Sequence, residues 1–150
     1  MNATTPPRSL ASTLAVASGA VFLLVGILGF VPGVTQEFDA LGGAGHHSEA
    51  MLLGIFQVSV LHNIVHLAFG VIGLAVATRT DWSITYLIAS GVIYGVLSIY
   101  GFVIDMQSEA NFVPVNMADN WLHVILTIAL LGGGLVASRQ RRDRDRTVRP

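Results

Sequence analysis

The sequence predicts an all-α fold, a transmembrane four-helix bundle, and three observations carry that expectation. Hydrophobic residues make up 53% of the 150, and charged residues only 11%, against about 25% charged in an ordinary soluble domain. Four stretches reach the roughly 20 mostly apolar residues that a membrane helix needs. The charges gather at the chain ends and in the connections between those stretches. The length suits one domain. With no cysteine, disulfides, thiolate metal sites and cysteine nucleophiles are excluded. Lysine is also missing, which removes Schiff-base chemistry and a phosphate-loop lysine.

The first span is expected at about Leu10–Val31. Its apolar run exceeds the 7–15 residues of a signal-peptide core and no small-x-small cleavage site follows, so it is expected to be retained. Ala15, Gly19, Gly26 and Gly29 form a small-residue stripe along it. The second span, Val58–Ala77, carries His62, His66, Gly70, Gly73 and Ala77 at helical spacing. The third, Ser83–Ile104, carries Ser90, Tyr94, Ser98, Gly101 and, at its end, Asp105. The fourth, Asn120–Ala137, carries His123, Thr127 and Gly134, with Asp119 just ahead. Helices in lipid associate through close packing at small residues and a few hydrogen bonds, so these stripes should face inward. The domain plan is a tail at 1–9, the four-span unit at 10–137 and a basic tail at 138–150.

Every basic residue is an arginine: Arg8, Arg79 and those of the tail RQRRDRDRTVR. The first and third connections hold Glu37, Asp39, Glu49, Asp105, Glu109 and Asp119 instead. The positive-inside rule then puts both termini in the cytoplasm, as an even number of spans also requires. Trp82 and Trp121 sit at opposite interfaces in this scheme. The expected location is the cell (cytoplasmic) membrane, crossed several times. The arginine tail is a topology anchor, or a binding surface for anionic lipid or a partner.

Setting His62 over His123 brings Gly73-Leu74 over Gly134-Leu135, and the FVP of residues 30–32 recurs at 112–114. A duplicated two-helix hairpin would explain both. Its repeats would run parallel, unlike the inverted repeats of many transporters. In the first connection, EAMLLGIF reads as an interfacial helical turn. In the third, Pro114 stops the preceding structure, Asn116 reads as an N-cap, and Asp119 three residues on resembles a capping box. Asp119 would also favour the positive end of the helix dipole.

His62 and His123 fall at similar depth, and His66 lies one turn below His62 on the same face. Asp119 is expected to stack over His123 in the same way, giving a constellation of His62, His66, His123 and Asp119. Buried imidazoles in lipid need partners, and three readings stay open. The histidines join a neutral polar network with Asp119, Asn63, Tyr94, Ser98 and Asn120, in a non-enzymatic accessory or structural membrane protein with no cofactor. Alternatively, they bind a transition metal, or haem b through one histidine from each helix, in a redox protein. In the third reading they relay protons in a small transporter. His46 and His47 read as solvated, or as a fourth ligand if their loop folds over the bundle. Ser59 lies near His62 by spacing, but no strained nucleophile turn supports serine catalysis. Besides the bilayer, a homo-oligomer or membrane-complex partner is open; nucleic acid is not expected.

The segments GILGFVPG, SVLHNIVHLAFGVIGL and PVNMADNWLHVIL, in that order, resemble a bacterial family of four-span integral membrane proteins, domain of unknown function 4383. The resemblance runs from about Leu10 to Ala137. It implies an integral membrane location and four helices, and it brings no reaction, cofactor or partner.

Overall fold

The computed structural model describes residues 8–148, so residues 1–7 of the N-terminal tail and residues 149–150 of the basic tail lie outside the described residues. Four helices follow one another: α1 (Leu10–Leu28), α2 (Val60–Val76), α3 (Thr80–Val103) and α4 (Met117–Val148). Helices α1, α3 and α4 are long and apolar enough to cross a membrane, whereas α2 has 17 residues. At 1.5 Å per residue α2 is about 26 Å long.

Polar residues punctuate the helices where the apolar runs begin. Ser9 caps α1 by accepting from the Ser12 amide at 3.2 Å, and Ser59 caps α2 by accepting from His62 N at 3.1 Å. The capping box at the head of α4 is real. Asn116 Oδ1 accepts from Asp119 N, and Asp119 Oδ2 accepts from Asn116 N, both at 3.0 Å. No breaker follows Ala137, so α4 runs on through the arginine segment to Val148.

The first connection departs from the expected helical turn. It forms a three-stranded antiparallel sheet, β1 (Thr35–Gln36), β2 (Met51–Leu52) and β3 (Phe56–Gln57), in the order β1-β2-β3. Leu53 and Gly54 both take positive φ, 54° and 69°. That pair reverses the chain between β2 and β3, and a helical turn cannot accommodate it. The sheet sits over the end of α1, with Ala50, Leu52 and Val58 buried against Val25 and Leu28. Asp105, expected on the inward stripe of α3, lies beyond the helix end and is exposed.

The helices pack chiefly as two hairpins, α1 on α2 and α3 on α4, with α1 meeting α3 across the middle. Both hairpins follow one plan. Gly19 lets α1 approach the backbone of α2 at Gly70 O and Leu74 N, and Gly91 lets α3 approach Leu131 N of α4. Gly29 faces the Asn63 amide, and Gly101 faces the Asn120 amide. The matching positions carry matching residues: ASG at 17–19 and 89–91, GFV at 29–31 and 101–103, and Asn-x-x-His at 63–66 and 120–123. This supports a duplicated hairpin but corrects its register. His66, not His62, is the counterpart of His123, and Asp119 is the counterpart of His62. The pairing is set by the asparagine that fills the glycine notch, which a match of first histidines overlooks. Phe30-Val31 accordingly pairs with Phe102-Val103 rather than with the later FVP.

Candidate functional site

His62 and His66 project from one face of α2, one turn apart. Their rings stack with centroids 4.6 Å apart and planes 4° from parallel. His66 is oriented by its own helix, Nδ1 lying 3.2 Å from the His62 carbonyl. His123 comes from α4, its ring centroid 5.3 Å from that of Tyr94 and the planes tilted by 47°. All three imidazoles line one small cavity of about 50 Å³ with Val65, Phe69, Tyr94 and Val113. They are buried, at 6%, 7% and 3% exposure, and the Nδ1 atoms of His62 and His123 have no hydrogen-bond partner. The structure thus brings His62, His66 and His123 to one cavity.

Asp119 is buried with them, yet its carboxylate is turned to the backbone. Oδ2 accepts from Asn116 N and from Gln57 N of β3, each at 3.0 Å. It joins the head of α4 to the sheet rather than stacking over His123. Asn120 donates through Nδ2 to the Gly101 carbonyl at 2.8 Å, while its Oδ1 is unpartnered. Asn63, in the equivalent place, is fully buried with neither side-chain atom partnered. Ser98 donates to the Tyr94 carbonyl at 2.8 Å, and Tyr94 contributes its ring. Asp119, Asn120 and Ser98 are thus bonded to backbone rather than to the histidines, and Asn63 is bonded to neither. Ser59, the α2 cap, is engaged by the His62 amide and not by its ring.

Above this level the two loops close the bundle. Asn116 Nδ2 donates to Ile55 O, and Gly45 N donates to Phe112 O, both at 2.8 Å. His47 is exposed and pairs with Glu109 of the other loop at 3.3 Å. Glu109 had no signal in the sequence, because only the fold brings these two loops together. Among the described residues, His46, His47 and Glu109 are the group of such side chains whose donor atoms all lie within 4.8 Å of one another. The ring nitrogens of the buried trio are set further apart.

Three long apolar helices, with outward faces of Val, Leu and Ile left exposed, point to a helical membrane protein with a small cavity lined by three histidines among apolar side chains. Within that class, the chain belongs to the family described as Domain of unknown function (DUF4383), whose model matches residues 12–136. No curated protein and no solved structure matches it.

Proposed function

We propose that this is a multi-pass protein of a bacterial cytoplasmic membrane, with both termini inside, serving as a non-enzymatic accessory or structural component. The observation that carries this reading is where the buried polar groups direct their hydrogen bonds. Asp119 ties α4 to β3, Asn120 ties α4 to α3, and Asn111 closes its own loop on Met106 O and Val115 O. Each joins backbone segments, as expected of groups that organise one half of a bundle. All four helices cross in this reading, α2 being short by a few ångströms that the bilayer absorbs at modest cost. Arg139, Arg142, Arg144 and Arg146 are exposed on the extension of α4, where anionic headgroups would meet them.

One observation favours a second reading, a metal-binding membrane protein. His62, His66 and His123 share a cavity, and two of their nitrogens are buried and unpartnered. Its volume of about 50 Å³ suits a single ion or a few waters; pockets for organic cofactors begin near 300 Å³. An ion therefore fits better than haem. The test is metal content and melting temperature of the detergent-purified protein beside His62→Ala and His123→Ala. A structural role predicts lower melting temperatures and unchanged metal content. Metal lost stoichiometrically in both variants would replace it with the second reading.

A further inference from the structure

The loop end holds a second histidine cluster, separate from the buried trio. His46 and His47 follow Gly45, whose φ of 85° turns the chain in a conformation suited to glycine. The turn is anchored on both sides. Gly45 N bonds Phe112 O at 2.8 Å, and His46 O accepts from Gln57 Nε2 at 3.4 Å. The two imidazoles consequently lie against each other, centroids 3.9 Å apart and 38° from parallel. Glu109, from the connection between α3 and α4, brings Oε1 within 3.3 Å of His47 Nε2.

An ion pair alone explains little of this. The His47 and Glu109 side chains are 75% and 87% exposed, and such surface pairs are screened by solvent. It also leaves His46 Nδ1 buried without a partner, and gives no reason for two imidazoles held together. A cation accounts for two imidazoles and a carboxylate held together at the loop end. Two imidazoles and one carboxylate, with donor atoms within 4.8 Å of one another, are a borderline-soft set. Such sets suit Zn²⁺ and its neighbours, whereas Mg²⁺ and Ca²⁺ favour oxygen alone.

We propose that His46, His47 and Glu109 form a divalent transition-metal site of the Zn²⁺ type, with water completing the shell. The ion clips the connection carrying the sheet to the connection leading into α4. It thereby closes the loops over the cavity below, and it sits where solvent can load it.

The test is calorimetric titration of the tag-free full chain in detergent with Zn²⁺ alone. One equivalent should bind, and binding should raise the melting temperature. His47→Ala and Glu109→Gln should each weaken it by about 10–100-fold, at least what losing a supporting partner costs a metal site. Both positions are exposed, so the metal-free variants should melt like the parent. The double variant His62→Ala/His123→Ala should keep the site, which separates it from any ion in the buried cavity. Absent Zn²⁺ binding, binding unchanged in His47→Ala and Glu109→Gln, or binding lost only in the double variant would each overturn the proposal.

Discussion

Phe22 of α1 and Tyr94 of α3 stack at the middle of the molecule, ring centroids 5.5 Å apart and planes 17° from parallel. Each also touches the histidine of its own hairpin, Phe22 meeting His66 at 5.7 Å and Tyr94 meeting His123 at 5.3 Å. The four rings make one continuous contact from α2 through α1 and α3 to α4. Helices in lipid gain little from the hydrophobic effect, so such packing contacts carry much of the association between the hairpins.

Removing one central ring should therefore loosen the join. Tyr94→Ala is expected to cost about 3 kcal/mol, in the range for deleting a buried aromatic ring. Tyr94→Phe keeps the ring and should stay within about 1 kcal/mol of the parent. Thermal unfolding in detergent compares them. Equal losses in the two variants would shift the role from ring to hydroxyl.

The glycine–asparagine notch gives a paired prediction. A methyl group at Gly101 would run into the Asn120 amide, and one at Gly29 into the Asn63 amide. Gly101→Ala should destabilise, and adding Asn120→Ala should recover part of the loss by making room. The coupling expected for touching residues is about 0.5–3 kcal/mol. Additive losses would mean that the two side chains do not share this space.

Asp119 supports two backbone amides of different elements. Asp119→Ala should cost about 2 kcal/mol, combining a lost cap with an amide left unsatisfied. Asp119→Asn retains an acceptor oxygen and should cost less. Hydrogen exchange should quicken at Gln57 and Asn116 in Asp119→Ala; protection unchanged at Gln57 would refute the tie to β3.

Leu53 holds φ of 54° with its side chain 56% exposed. A left-handed conformation costs a branched residue about 1–2 kcal/mol, and little packing offsets it here. Leu53→Gly should raise the melting temperature, by roughly 1 kcal/mol of added stability. A lower one would show that the exposed leucine contributes more than the strain removes.

The cysteine-free chain allows a direct test of orientation. Asp39→Cys, on the first connection, should react with an impermeant maleimide in intact cells. Arg142→Cys should react only after permeabilisation. The opposite pattern would invert the topology proposed above.

How much of this was legible before folding differs from feature to feature. The capping box at Asn116 and Asp119 is a four-residue device, and its spacing announces it. The inward stripes of α2 and α3 were legible too, since His62, His66, Gly70 and Gly73, and Ser90, Tyr94, Ser98 and Gly101, are all buried. The β-turn at Leu53-Gly54 was hidden, because leucine rarely adopts positive φ and the flanking apolar run mimics a helix. The hairpin register was present in ASG, GFV and Asn-x-x-His, yet it needed the Gly29–Asn63 and Gly101–Asn120 contacts to single it out.

The sequence by itself determined the class of structure: apolar runs near membrane length, polar caps at the heads of α1, α2 and α4, and small residues down one face of each helix. Those are local properties, fixed by hydropathy and by a period of 3.6 residues. Only the tertiary structure decided which polar groups meet. It turned Asp119 to Gln57 instead of His123, gathered His62, His66 and His123 around one cavity, and brought Glu109 to His47. Such partners lie 60 or so residues apart in the chain, and no local pattern encodes a contact whose geometry depends on how two hairpins dock.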